Sequence, residues 1–239
     1  MVRPKLLSVM LLAVAVAVAA SRPTMAAQPA PGGDGVHELI ARISAAQRAV
    51  HSLKARFRQE KRSAMLLEPA VSTGSFVYLA PDRIRWQYDT PDPMVVVFDG
   101  RVLTTWDPSL HHLDRVHVSA RQKRLMEALA GTRPLEGLVS HFRIVLVKTP
   151  ADQPWVLRLE PTERRLKKKI RRIELHVDRK LDLPVAVVSV EADGDSTSYS
   201  FSHIEVNPPV NPSLFVVEPK GKVSVETYDT SVSSGGSGH

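Results

Sequence analysis

The chain has no cysteine in 239 residues. That excludes disulfide frameworks, thiolate metal clusters, cysteine nucleophiles and lipid attachment through an N-terminal cysteine. Aromatic residues are scarce, at 5%, so a face that gathers several of them is informative. The sequence also has no Gly-rich phosphate loop, no G-x-S-x-G elbow and no H-E-x-x-H helix, which removes the common signatures of nucleotide, acyl-transfer and zinc-hydrolase chemistry. These absences point away from an enzyme, and no cofactor is expected.

The N-terminus is distinctive. Arg3 and Lys5 precede a 15-residue apolar run, Leu6 to Ala20, interrupted only by Ser8, and Thr24-Met25-Ala26 supplies small residues near a cleavage point. This pattern reads as a secretory signal peptide over 1–26. The run is short for a hydrocarbon core of about 30 Å, which makes an uncleaved anchor the lesser alternative. Losing Arg3, Lys5 and Arg22 lowers the formal charge from +7 to +4. A surplus that small on an exported protein does not suggest nucleic acid as a partner.

A Pro/Gly linker over 27–34 leads into Val36, Leu39, Ile40, Ile43, Gln47 and Val50, the spacing of one helix face, so a helix is expected over 35–51 with Asp34 at its cap. From residue 53 the period becomes two, and turn signals such as Ala80-Pro81-Asp82, Asp99-Gly100 and Asp193-Gly194-Asp195 recur at short intervals. Strands are expected from 53–62 through to 197–206, with a last one at 213–218. A helical insert is expected over 121–140, with Leu125, Met126 and Leu129 grouped ahead of Leu135, Leu138 and Val139. The fold class is mainly β with helices (α+β). One strongly curved antiparallel sheet occupies a single domain over 35–222, covered by the N-terminal helix and a mid-chain helical lid. A C-terminal extension, 223–239, becomes Ser/Gly-rich and disordered from about 231.

Alternation places Phe57, Phe76, Tyr78, Ile84, Trp86 and Tyr88 on the covered side of the sheet. Ordinary core accounts for that face, and so does an apolar cavity under the helices. Phe98 and Trp106 fit either face. His111, His112 and His117 lie on one strand, where adjacent side chains point to opposite faces, so no metal site is expected. Arg164, Arg165, Lys167, Lys168, Lys169, Arg171 and Arg172 put seven positive charges between two strands. That run reads either as a docking patch for an anionic membrane or acidic partner, or as a solvated hairpin.

Several motifs in order resemble the LolA-type periplasmic lipoprotein carriers. They are Ala55-Arg56-Phe57-Arg58-Gln59, Gly74-Ser75-Phe76, the stretch Ala80 to Tyr88, Asp99-Gly100-Arg101, Trp106-Asp107-Pro108, Phe215 and Pro219-Lys220-Gly221. The resemblance covers roughly 38–222. It implies a half-open antiparallel barrel in the periplasm, a monomer whose interior receives acylated lipoproteins released by an inner-membrane ABC transporter and passes them to an outer-membrane acceptor. By position it implies that Phe76, Tyr78, Ile84 and Trp86 line the cavity and that Leu125, Met126 and Leu129 belong to the lid. Family members often carry a latch arginine where this chain has Ala80, and Arg83 and Arg85 have the opposite parity. The same fold also implies two alternatives, an envelope-sensing regulatory module and a carrier of glycolipid or another non-protein lipid.

Overall fold

The computed structural model describes residues 33–118, 135–139, 141–219 and 223–229. Helix α1 spans Gly33–Arg48. It begins earlier than the periodicity suggests, so Asp34 lies within the helix and not at its cap position. Leu39, Ile40, Ile43 and Gln47 recur at helical spacing and are all buried, and each apolar member contributes about 1.5 to 3 kcal/mol of transfer free energy. Arg42 on the opposite side donates twice to the Asp182 carboxylate, at 3.1 and 2.5 Å.

Twelve strands follow among the described residues: β1 Ser52–Arg62, β2 Ala70–Leu79, β3 Arg83–Thr90, β4 Met94–Phe98, β5 Val102–Asp107, β6 His112–His117, β7 Phe142–Val147, β8 Trp155–Pro161, β9 Ile170–Asp178, β10 Leu183–Glu191, β11 Ser196–Val206 and β12 Ser224–Asp229. A single helical turn, α2 Arg164–Lys167, joins β8 to β9. All twelve strands belong to one curved, unclosed sheet in the order β12-β6-β5-β4-β3-β2-β1-β11-β10-β9-β8-β7. Two meanders build it. β1 to β6 step outward from the middle, the chain then reaches the far edge at β7, and β7 to β11 step back until Phe57 faces Phe201 across the β1–β11 pairing.

Glycine is required at one point inside this ladder. A β-carbon on Gly74 would stand 2.0 Å from the Gln87 carbonyl oxygen and 2.6 Å from the Phe57 ring, so the missing side chain is the space the ring uses. Where helix, β1 and β11 meet, Asn207 at φ 52° accepts from the His51 amide at 2.7 Å and donates to the Ala49 carbonyl at 3.1 Å.

Three elements differ from the sequence expectation. The strand expected at 213–218 is a 3-10 turn, Pro212–Phe215, because Pro212 has no N–H for a ladder and the Asn211 side chain accepts from the Ser213 amide at 3.0 Å. Arg85 seats this turn on β3 by donating to the Leu214 carbonyl at 2.8 Å, and Phe215 is buried. The last strand is β12, and its pairing with β6 is parallel, so the sheet is not wholly antiparallel. Within the helical insert expected over 121–140, the described structure is a 3-10 turn, Leu135–Leu138, followed by Val139. The Leu135 amide donates to the Gln47 side chain at 3.0 Å, which ties this turn to α1. Leu125, Met126 and Leu129 lie outside the described residues. No helix among the described residues is long and apolar enough to cross a membrane.

Candidate functional site

Cross-strand register determines what the inner face carries. One row runs Ala55, Phe76, Trp86, Val96, Thr105 and Asp114 over β1 to β6, and a parallel row runs Leu53, Tyr78, Ile84, Phe98, Leu103 and Val116. All the sequence-assigned residues, Phe57, Phe76, Tyr78, Ile84, Trp86 and Tyr88, are on this face and buried. Register also settles two ambiguous residues. Phe98 is inner, and Trp106, paired with Val95, is outer. Across β8 to β10 the inner face changes character to Leu157, Leu159, Ile173, Leu175 and Val187. Helix α1 rests on that wing through β7 and β10.

The aromatic half is a closed layer. Trp86 lies at its centre, with ring centroids 4.6 Å from Phe76, 4.7 Å from Phe57, 5.2 Å from Tyr199 and 5.7 Å from Phe201. Such tilted and edge-on contacts add about 0.5 to 1.5 kcal/mol per pair beyond area burial. A guest entering here has to part side chains or displace cover. Tyr199 and Phe201 were not assigned from sequence. Their signal was the alternation Thr197, Tyr199, Phe201 between the serines of β11.

Polar atoms inside the layer are few. The Tyr88 and Tyr199 hydroxyls lie 3.4 Å apart, and burial pushes both phenols up from their ordinary value, Tyr199 most strongly. Both stay neutral at physiological pH. The Tyr78 hydroxyl donates to the Pro81 carbonyl at 3.2 Å. Trp86 Nε1 is buried with no acceptor among the described residues, as is Trp155 Nε1 outside this layer.

At the sheet edge, His112, Asp114 and Glu226 bring donor atoms within 4.8 Å of one another. Of the three histidines read from sequence, only His112 joins this group. Its Nε2 lies 3.0 Å from the Asp114 carboxylate and its Nδ1 2.6 Å from the Ser224 hydroxyl, so the cluster knits β6 to β12 as an internal network.

The basic run surrounds a groove of about 680 Å³ lined by Arg158, Glu160, Pro161, Lys167, Ile170, Arg171 and Arg172. Arg158, which the sequence reading did not include, shares the Glu174 carboxylate with Arg172, each at 3.1 Å. Arg164, Arg165, Lys168 and Lys169 lie outside the lining and form no ion pair among the described residues. The seven cations are therefore divided between a groove and the hairpin around it.

Comparison with known proteins agrees with this architecture. The family model described as outer membrane lipoprotein carrier protein LolA matches residues 48–218. An uncharacterized conserved protein from Thermus thermophilus is similar in structure, with a TM-score of 0.52 and 11% identity, covering 81% of this chain and 99% of the other. A LolA superfamily protein from Nitrosomonas europaea gives 0.43 at 12% identity, over 76% of this chain and 97% of the other. The MucB of Pseudomonas aeruginosa, solved in complex with MucA, gives 0.44 at 18%, over 77% and 61%. No curated protein matches the chain in sequence.

Proposed function

The chain belongs to the family of LolA outer membrane lipoprotein carriers, and from that premise we propose that its inner aromatic face shelters the acyl chains of lipoproteins in transit through the periplasm. An inner-membrane ABC transporter would load it and an outer-membrane acceptor would unload it. The need is set by solvation. Each acyl CH₂ exposed to water loses about 0.8 kcal/mol, so a multiply acylated protein cannot cross an aqueous space unsheltered.

The observation that carries this reading is the layer of aromatic rings gathered around Trp86 on the inner face of the sheet. The rings already touch, so loading exchanges ring-to-cover contacts for ring-to-lipid contacts, and only the difference appears as affinity. That exchange keeps binding moderate, as a carrier that must release its cargo requires. The sequence pattern assigns the cover to 121–140 with Leu125, Met126 and Leu129. Arg85 engages the outer-face turn at Leu214, which argues against it as the latch.

Mass spectrometry of material co-purifying with the protein from the periplasm tests the reading. Acylated polypeptide is the expected finding. A glycolipid would redirect the account to another lipid cargo, and a stoichiometric regulatory protein with no lipid would replace it.

A further inference from the structure

Strand register places the β1–β2 loop, the β8–β9 hairpin and the β5–β6 turn at the same end of the sheet. Arg62 pairs with Ser196, Ser196 with Val190 and Val190 with Arg172, while Thr73 of β2 pairs with Thr90. At that end the loop after β1 presents Met65 at 93% and Leu67 at 106% exposure, with Leu66 beside them at 42%. The loop is a formed turn, since the Leu66 amide donates to the Ser63 carbonyl at 3.0 Å and the Met65 amide to the Ser63 hydroxyl at 3.3 Å. Leu110 in the β5–β6 turn is exposed as well, at 55%. Consecutive large apolar side chains held out in water on an ordered turn are not explained by the fold.

We propose that this end of the sheet docks on an anionic phospholipid bilayer, with the Met65-Leu66-Leu67 tip entering the interfacial layer and the Arg164–Arg172 hairpin holding lipid phosphates. The two halves are complementary. Apolar side chains supply depth and the basic groups supply attraction to anionic headgroups. Glu160, Glu163 and Glu174 stand on the hairpin and Glu191, Asp193 and Asp195 at the β10–β11 turn of the same end, six carboxylates against the seven cations of the run and Arg158, so the balance stays positive. An acidic peptide would account for the groove between Lys167 and Arg172 and leave the apolar tip without a role. The docking end does not depend on what the inner face carries, so it stands or falls separately from the carrier reading.

The absence of cysteine makes the test clean. A fluorophore on Ala64→Cys should shift to the blue with phosphatidylcholine vesicles containing phosphatidylglycerol, and one on Asp152→Cys, in the β7–β8 turn at the opposite end, should not shift. Met65→Ser with Leu67→Ser should weaken sedimentation with those vesicles about tenfold. Lys167→Glu with Lys168→Glu and Lys169→Glu should remove the dependence on phosphatidylglycerol, and added salt should mimic that loss. All these positions are outside the sheet, and circular dichroism checks that the variants remain folded. No blue shift at Ala64→Cys, or equal vesicle binding by wild type and the apolar-tip variant, would overturn the proposal. An acidic peptide that binds the hairpin in the absence of vesicle binding would overturn it too.

Discussion

The Phe57 ring edge lies 2.6 Å from where Gly74 would carry a β-carbon, so the first aromatic residue of the inner face is seated in the space of an absent side chain. The obstruction on the other side is the Gln87 backbone carbonyl at 2.0 Å, which cannot swing away as a flexible side chain would. Gly74→Ala is therefore expected to destabilise the protein by about 2 kcal/mol or more. The midpoint of urea unfolding measures this, and an unchanged midpoint would contradict the packing described here.

Trp86 separates volume from hydrogen bonding. Trp86→Ala removes the hub of four ring contacts and should cost about 3 to 5 kcal/mol. Trp86→Phe keeps a ring and deletes the unpaired N–H, so lost packing and relieved desolvation offset each other within about 1.5 kcal/mol. The same urea titrations compare the two variants. A charged residue at this position should unfold the protein, so it is a poor probe of cargo binding.

The ion pair of Arg42 with Asp182 ties α1 to the β9–β10 turn across 140 residues of sequence. Both partners keep some solvent exposure, so the coupling should be about 0.5 to 1 kcal/mol and shrink in salt. A double-mutant cycle with Arg42→Gln and Asp182→Asn reads it directly.

His176 gives the fold an acid sensitivity. Burial pulls its pKa below the ordinary 6.5, and the Glu174 carboxylate only partly opposes that effect. Its Nε2 is buried without a partner among the described residues. Because the folded value is the lower one, the unfolded chain takes up the proton first as pH falls below about 6.5, and stability declines until the folded value is reached. His176→Gln should flatten the pH dependence of the unfolding free energy in that window, whereas above pH 7.5 the slope should be unchanged.

Much of the fold was legible because strands such as β1, β2 and β3 alternate. Phe76, Tyr78, Ile84, Trp86 and Tyr88 could be placed on one face from parity alone, and register confirms that shared face. Parity fails where a run is continuously apolar, as in Met94 to Phe98, and the two sides of β4 became clear only through pairing with β3 and β5. Local pattern also cannot supply long-range partners. Nothing in 196–206 announces that Tyr199 and Phe201 lie beside Phe57, or that Ser224–Asp229 returns parallel to β6. Arg158 escaped notice because a single arginine in an alternating strand looks like any solvated side chain. Its partnership with Arg172 arises only when Leu157 pairs with Leu175.

The central claim is that acyl chains reach the aromatic face around Trp86. The chain has three tryptophans, and Trp106→Phe with Trp155→Phe leaves Trp86 as the sole indole emitter. Titrating that variant with a triacylated lipopeptide carrying brominated acyl chains should quench its fluorescence saturably, and the unbrominated lipopeptide should compete. Unquenched Trp86 emission at lipopeptide concentrations that the protein demonstrably binds would place the cargo elsewhere and contradict the account.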